Sequence, residues 1–396
     1  MKAAVGHSFR ADPRQACEEA STALTSGLSP VGPDWVLVFA AAGYFREDLN
    51  RIIKNITGAE KIVGCSTEGI ITTDAEHEQR EGLALLGVSS SRIDCRTIYR
   101  DNLQFKNLSI GRSLAGRLQA DASSSPLACI FPDPYSFRSP VFFRGFREEF
   151  GSYPLLGGTG AGRPKSSDQA RQATYQLGCG RQGYNSLSGF ILSGEFNSAY
   201  GISPAHHPIG DTFFITDARH NKITELDGRP ALDVMSESLR KYLSHISGSP
   251  PDDLFVALSI NPKTSVIGRG EFILRNIIGV NTGEKLFSVD EQVREGQKIS
   301  FAIKNSYGAR DNFRTTVDEM ASSGLEHQPA FGLLMRSSGR GVELYDKKNV
   351  DLDIIKERWG EFPLIGLQTA SEIAPLKGNN YEHKFAAELV LVFPEN

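Results

Sequence analysis

The chain has 396 residues, of which 40% are hydrophobic and 23% charged, and a formal net charge of −4. That length allows two domains of ordinary size, and the composition is that of a soluble globular protein. The balance excludes the basic surface of a nucleic-acid binder and the acidic tail of a solvating segment.

The five cysteines, Cys17, Cys65, Cys95, Cys129 and Cys179, are widely spaced and form no C-x-x-C pair. That fits a reducing compartment and argues against a disulfide frame or a zinc cluster. The start, MKAAVGHSFRADP, has no long apolar core and no small-residue cleavage site. The longest apolar run, Trp35–Phe45, is about half a membrane span. A cytoplasmic protein without membrane insertion is expected.

In chain order, Lys2–Ser8 reads as a strand and Ala11–Thr25 as a helix opened by Asp12-Pro13. Trp35–Phe39 is a strand, Tyr44–Ile56 an amphipathic helix, and Leu83–Ser89 a further strand. Between them, Asp74–Glu81 reads as a charged, solvated connection. Asn107–Asp121 is helical, and Ser123–Pro126 a flexible joint. Leu127–Phe131, Val141–Phe150 and Leu187–Gly194 repeat the strand–helix–strand pattern. In Phe131–Phe137, two prolines and Asp133 read as a rigid strand-to-helix turn, with ligand contact as the alternative. Ser198–Pro208 reads as a bridge, and a domain boundary is placed near it, giving domains 1–205 and 206–396.

Beyond it, Thr212–Thr216 and Lys222–Leu226 predict a hairpin. Pro230 opens a helix, Ala231–Leu243, whose apolar face is Leu232, Met235, Leu239 and Leu243. Pro250-Pro251 leads into strand Leu254–Ile260, and Glu271–Val280, Lys285–Val289 and Lys298–Lys304 are further strands. Arg275 and Asn276 lie inside one of them. A guanidinium there needs an anionic or carbonyl partner, either a ligand carboxylate or a protein acid. Phe331–Arg336 is a strand, Val350–Trp359 a helix and Glu388–Phe393 a last strand.

One phrase recurs three times: KIVGCSTEGII at Lys61–Ile71, PLLGGTGAGR at Pro154–Arg163, and PLIGLQTASEIAP at Pro363–Pro375. Each copy follows a strand and a helix and precedes another apolar run. The fold class is therefore α/β, mixed α+β, in two domains built from repeated strand–helix–strand–loop–strand units. The first two strands of a unit pair in parallel and the third returns antiparallel, giving mixed sheets. The repeated glycine allows close backbone approach or special dihedral angles. The loops then present Cys65, Ser66, Thr67, Gly158, Thr159, Thr369 and Glu372 at strand ends, where α/β proteins bind small molecules. Arg340, in SSGRG, is placed to fork onto a carboxylate, and His383 to face the same pocket.

GGTGAG is no phosphate cradle: it lacks G-K-[ST] and G-x-G-x-x-G spacing, and Pro164 follows it. Cys65 has no assignable base and no G-x-S-x-G elbow surrounds Ser66, so catalysis there is the last alternative. The eight histidines form no metal pattern, although a single one suffices for haem.

Taken together, DWVLVFAAAGYF, KIVGCSTEGII, FPDPYSF, PLLGGTGAG, ITELDGRPALDVM, EFILRNIIGV, VREGQKISFAIKN, SSGRG and LIGLQTASEIAP resemble the FIST (F-box and intracellular signal transduction) sensory family over most of the chain. The resemblance implies a FIST N domain followed by a FIST C domain. It implies a small-ligand sensor for amino-acid-like molecules that acts through a separate partner, such as a histidine kinase, without enzymatic activity or a cofactor. A similar subgroup implies the alternative, a haem-binding nitric oxide sensor. The chain departs from the family pattern at Ser337-Ser338, where a cysteine is usual before G-R-G. It departs again at Ser371, which stands in place of the glycine of G-E-I-A-P.

Overall fold

The computed structural model describes residues 1–78, 80–120, 125–161, 174–244, 253–322 and 327–395. Pro164, at the end of the second glycine run, and Pro250-Pro251 lie outside the described residues, as does part of the Ser123–Pro126 joint. The fold is mixed α/β.

The first repeat comprises β1 (Lys2–Ser8), α1 (Pro13–Leu28), β2 (Trp35–Ala40), α2 (Leu49–Thr57), β3 (Lys61–Ser66), β4 (Ile70–Ile71), β5 (Glu76–His77) and β6 (Leu83–Ser89). The second comprises β7 (Ile93–Asp101), α3 (Leu103–Ala120), β8 (Leu127–Pro132), α4 (Ser139–Phe150), β9 (Leu156–Gly158), β10 (Gln176–Gly178), β11 (Arg181–Gly183) and β12 (Ser186–Gly194). The third opens with β13 (Phe196–Pro204). An intervening segment holds β14 (His206–Arg219), β15 (Lys222–Leu226), β16 (Arg229–Pro230), α5 (Ala231–Leu243), β17 (Leu254–Ser259), β18 (Phe272–Asn281), β19 (Leu286–Val289) and β20 (Lys298–Lys304). The third repeat resumes with α6 (Ser306–Ala321), β21 (Phe331–Ser337), α7 (Val342–Tyr345), α8 (Val350–Trp359), β22 (Leu364–Thr369), β23 (Glu372–Leu376), β24 (Asn379–His383) and β25 (Ala386–Pro394).

Packing divides the chain into two compact units. The first is Met1–Ser203, Phe313–Glu382 and Ala386–Asn396; the second is Pro204–Asn312 with His383–Phe385. This division differs from one at 205/206, because the chain returns to the first unit at Phe313. Compact units follow packing rather than position along the chain.

In the first unit the expected pairing holds. β2–β3, β8–β9 and β21–β22 are parallel, and β6, β12 and β25 run antiparallel to β2, β8 and β21. The recurring glycine has one physical cause in all three repeats. A Cβ at Gly64, Gly157 or Gly366 would sit 1.8, 2.0 or 2.3 Å from the carbonyl oxygen of Val38, Ile130 or Leu334 on the neighbouring strand. Only glycine fits that approach.

Each repeat also lends a short strand to another repeat's sheet. β4 pairs with β22, β10 with β3, and β23 with β9, all antiparallel, which closes a ring of three. The inner faces share one core containing Trp35, Phe39, Phe131, Phe190, Phe331 and Met335. Each fully buried large side chain there contributes roughly 1.5–3 kcal/mol. The outer faces carry helix pairs: α1 and α2, α3 and α4, and α6 with α8.

Several local expectations are refined. Asp12 caps α1 by accepting from the Gln15 amide at 2.9 Å. The helix expected over Tyr44–Ile56 is a 3₁₀ turn, Ala42–Arg46, followed by α2, because Asp48 caps a fresh start through the Arg51 amide at 3.1 Å. The Ser198–Pro208 bridge is strand on both sides of Ala205: β13 ends at Pro204 and β14 begins at His206. On α5 the buried positions are Ala231, Val234 and Ser238, and the expected leucine face is only half-buried. The second unit closes into a barrel in the order β14-β20-β17-β18-β19-β15, completed by β14–β15 pairing.

Candidate functional site

The three glycine loops of the first unit meet. Loop one follows β3, loop two follows β9 and loop three follows β22. Thr67 Oγ1 donates to the carbonyls of Gly69 and Gln368, both at 2.8 Å, and the Gln368 amide donates to Gly69 at 2.9 Å. That joins loop one to loop three. Thr159 donates through its amide to the Ser371 carbonyl at 2.9 Å, and Ser371 returns its amide to Thr159 Oγ1 at 3.0 Å; the two hydroxyls lie 3.0 Å apart. That joins loop two to loop three. A Cβ at Gly160 would lie 2.9 Å from the Ser66 carbonyl oxygen and 3.7 Å from its hydroxyl, which seats loop two on loop one.

Carboxylates hold this ring from outside. Thr369 Oγ1 donates to Glu372, whose other oxygen accepts from the Ala386 amide at 3.0 Å. Ser371 Oγ donates to Glu382 at 2.7 Å, and Ser139 Oγ donates to its second oxygen at 2.6 Å. Ser66, Thr67, Thr159, Thr369, Ser371 and Glu372 are all buried. Chemically the ring is a set of neutral hydroxyl and amide bonds whose partners belong to different repeats.

Seven of the sequence-predicted residues therefore lie together: Cys65, Ser66, Thr67, Gly158, Thr159, Thr369 and Glu372. Their roles differ. The Cys65 thiol points into the central core, and burial pushes its pKa upward, so it stays protonated and is a poor nucleophile. Gly158 packs against Thr369.

The other four are placed elsewhere. Arg340 is fully buried and does fork onto a carboxylate, but the acid is Asp351 of its own chain, at 2.9 and 3.2 Å. Its third nitrogen donates to the Ser203 carbonyl at 3.1 Å. Burial alone would lower its pKa; Asp351 outweighs burial and raises it. Arg275 and Asn276 belong to the second unit, where they bond Glu291 and Asp290. Of the two partners open to Arg275, the structure supplies the protein acid. His383 is buried and groups with the second unit, so it is not part of the ring.

Sequence reasoning missed three residues near the ring. Arg336 is fully buried and pairs with Glu76 at 2.5 Å and Glu78 at 2.8 Å. The Asp74–Glu81 stretch is thus no merely solvated connection: Glu76 is buried, and it also accepts from the Leu352 amide at 2.9 Å. Glu388 is fully buried beside the central core and accepts from the Gly157 amide at 3.2 Å. Burial pushes its carboxyl well above the usual carboxylate range against the pull of that amide, and Glu372 adds to the rise. Its Oε1 has no hydrogen-bond partner among the described residues. The signal for Arg336 and Glu388 was a charged residue in an apolar strand, the same one that singled out Arg275. Asp133 is a turn-former, accepting from the Tyr135 and Asn185 amides and from the Ser136 and Thr174 hydroxyls.

The FIST N domain matches residues 34–229, and the FIST C domain matches residues 231–375. The chain belongs to the FIST family. FIST domains are associated with sensing in signal transduction. An uncharacterised Mycobacterium tuberculosis protein is 26% identical over 401 residues, covering 99% of each chain. An uncharacterised Mycobacterium bovis protein is 25% identical over 403 residues, covering 99% of this chain and 98% of that relative.

The expectation that this FIST chain has no enzymatic activity does not stand. A solved structure similar over the whole chain is that of an enzyme, the cyanuric acid hydrolase of A. caulinodans. It is 7% identical with a TM-score of 0.40, covering 100% of this chain and 99% of that one. That likeness assigns no activity here.

Among the described residues, no group of three or more His, Cys, Asp or Glu side chains is arranged to hold a metal ion. Of the described histidines, His206 and His383 are buried. The His206 ring is packed by Phe255 and Phe385 at centroid distances of 4.3 and 5.1 Å. No described helix is long and apolar enough to cross a membrane.

Proposed function

We propose that this chain is a sensory protein that binds a small polar, amino-acid-like ligand at the ring of three loops and passes its state to a separate signalling partner such as a histidine kinase. The observation that carries this reading is the convergence of one loop from each repeat, joined by neutral hydrogen bonds between Thr67, Thr159, Gln368 and Ser371. Each such bond contributes only about 0.5–1.5 kcal/mol net, so a ligand offering equivalent donors and acceptors can replace it. The ring is closed in this state. Binding is therefore coupled to its opening, and opening shifts one repeat's lent strand relative to another. A ligand moves such an equilibrium by its differential affinity for the open form.

A heat-stability screen of the purified chain against the common amino acids and related metabolites tests this, because a ligand of the folded state raises the midpoint. At least one compound should raise it, and Ser371→Ala should reduce that response. No response in the wild type, or an undiminished response in Ser371→Ala, overturns the reading.

A further inference from the structure

The internal repeat makes two seams of the first unit comparable residue by residue. Leu177 pairs with Gly64 and Ile71 with Gly366, so Cys179 corresponds to Thr73. Across the seam, Tyr99 pairs with Ser188 opposite Phe131, and His7 pairs with Ala84 opposite Phe39, so Thr97 corresponds to Val5. Between repeats one and two the seam is shut. The Cys179 thiol donates to the Thr97 carbonyl at 3.2 Å, and a Cβ at Gly178 would stand 2.5 Å from the Ile98 oxygen. Between repeats one and three the corresponding residues, Thr73 and Val5, both line an open groove of about 380 Å³, together with His7, Asp74, Glu361 and Phe362.

The lining has a definite chemistry. Val5, Phe362 and Pro363 give an apolar floor. Glu361 is engaged by Lys356 at 3.1 Å, whereas Asp74 makes no hydrogen bond or close ion pair among the described residues, although its charge acts on the His77 imidazole. His7 brings an imidazole held against Phe9 and His77, with ring centroids 5.4 and 5.6 Å away. A groove of this size suits a small molecule. An apolar wall ending in an exposed carboxylate selects a cation with an apolar body.

We infer that the seam between repeats one and three is a second binding site, for a small primary amine with an apolar chain or ring, its ammonium group on Asp74 and its body over Phe362 and Val5. This site does not depend on the ligand reading of the loop ring.

The test is calorimetric titration of the full chain with n-pentylamine at pH 8, beside pentanoate as the anionic counterpart of equal length. Pentylamine should bind saturably and pentanoate should not. Asp74→Asn, an exposed and conservative change, should weaken amine binding about fivefold, the order expected for one exposed ion pair. Glu18→Gln, on the outer surface of α1, should leave binding as in the wild type. Absence of saturable amine binding, equal binding of pentanoate, or unchanged affinity in Asp74→Asn each overturns the inference.

Discussion

Two sets of bonds hold the first unit together, and they differ in kind. At the loop ring the partners are hydroxyls and amides of different repeats: Thr67 with Gln368, and Thr159 with Ser371. At the other the partners are charged groups without solvent exposure: Arg336 with Glu76 across repeats three and one, and Arg340 with Asp351 within repeat three. A buried ion pair that loses one member leaves an uncompensated charge, which costs several kcal/mol, whereas a neutral bond lost costs about one. The charged set therefore behaves as a lock and the neutral set as a joint. The proposed sensory role calls for both: a frame that stays folded and a contact between repeats that opens at modest cost.

The largest expected effect sharpens the lock. Arg340→Ala should destabilise the chain by about 3–5 kcal/mol in urea unfolding, because Asp351 would stay buried with Tyr345 as its remaining side-chain donor among the described residues. Replacing both partners, Arg340→Met with Asp351→Leu, should recover most of that loss. Equal loss in the double variant would mean that geometry rather than charge holds this corner.

Next comes the repeated glycine. Gly64→Ala should cost about 1–3 kcal/mol or more, since its Cβ would press on the Val38 carbonyl. A neutral outcome would deny that the glycine serves close approach.

On the joint, Ser371→Ala removes the hydroxyl contact with Thr159 and the bond to Glu382, and should cost about 1.5–3 kcal/mol, less than Arg340→Ala, while lowering any ligand response. A loss as large as that of Arg340→Ala would erase the distinction between lock and joint.

The smallest effect is a pH slope. The Glu388 carboxyl is raised from 4.5 in the folded chain. The unfolded chain releases that proton first. The stabilisation is thus complete below about pH 4.5 and is lost as pH rises toward the folded value. Glu388→Gln should flatten this alkaline decline; identical slopes in the two proteins would show that Glu388 is not its source.

Much of the first unit was legible in the chain. The thrice-repeated glycine phrase, flanked by runs such as WVLVF and FGLLMR, gave the parallel pairs and most boundaries, because apolar period and turn residues act locally. That the loop residues Ser66, Thr67, Thr159, Thr369 and Glu372 sit at strand ends was legible for the same reason. The lending of strands between repeats was not legible: Ile70–Ile71 and Gln176–Gly178 are too short to carry a pattern. Nor were the ion-pair partners, since Arg336 and Glu76 are 260 residues apart in sequence. β7 was passed over although IDCRTIYRD alternates, and α6 lacked a clear apolar stripe. Arg340 was placed to fork onto a carboxylate, but sequence does not say whether the acid comes from a ligand or from the chain.

The contrast between lock and joint is tested most directly by native-state hydrogen exchange at single amides. Thr159 and Ser371 donate within the joint, and Leu352 donates to Glu76 within the lock. The expected result is exchange of Thr159 and Ser371 through an opening well below the global unfolding energy, with Leu352 exchanging only on global unfolding. Protection of Thr159 and Ser371 equal to or above that of Leu352 would contradict the assignment of the ring as the part that opens.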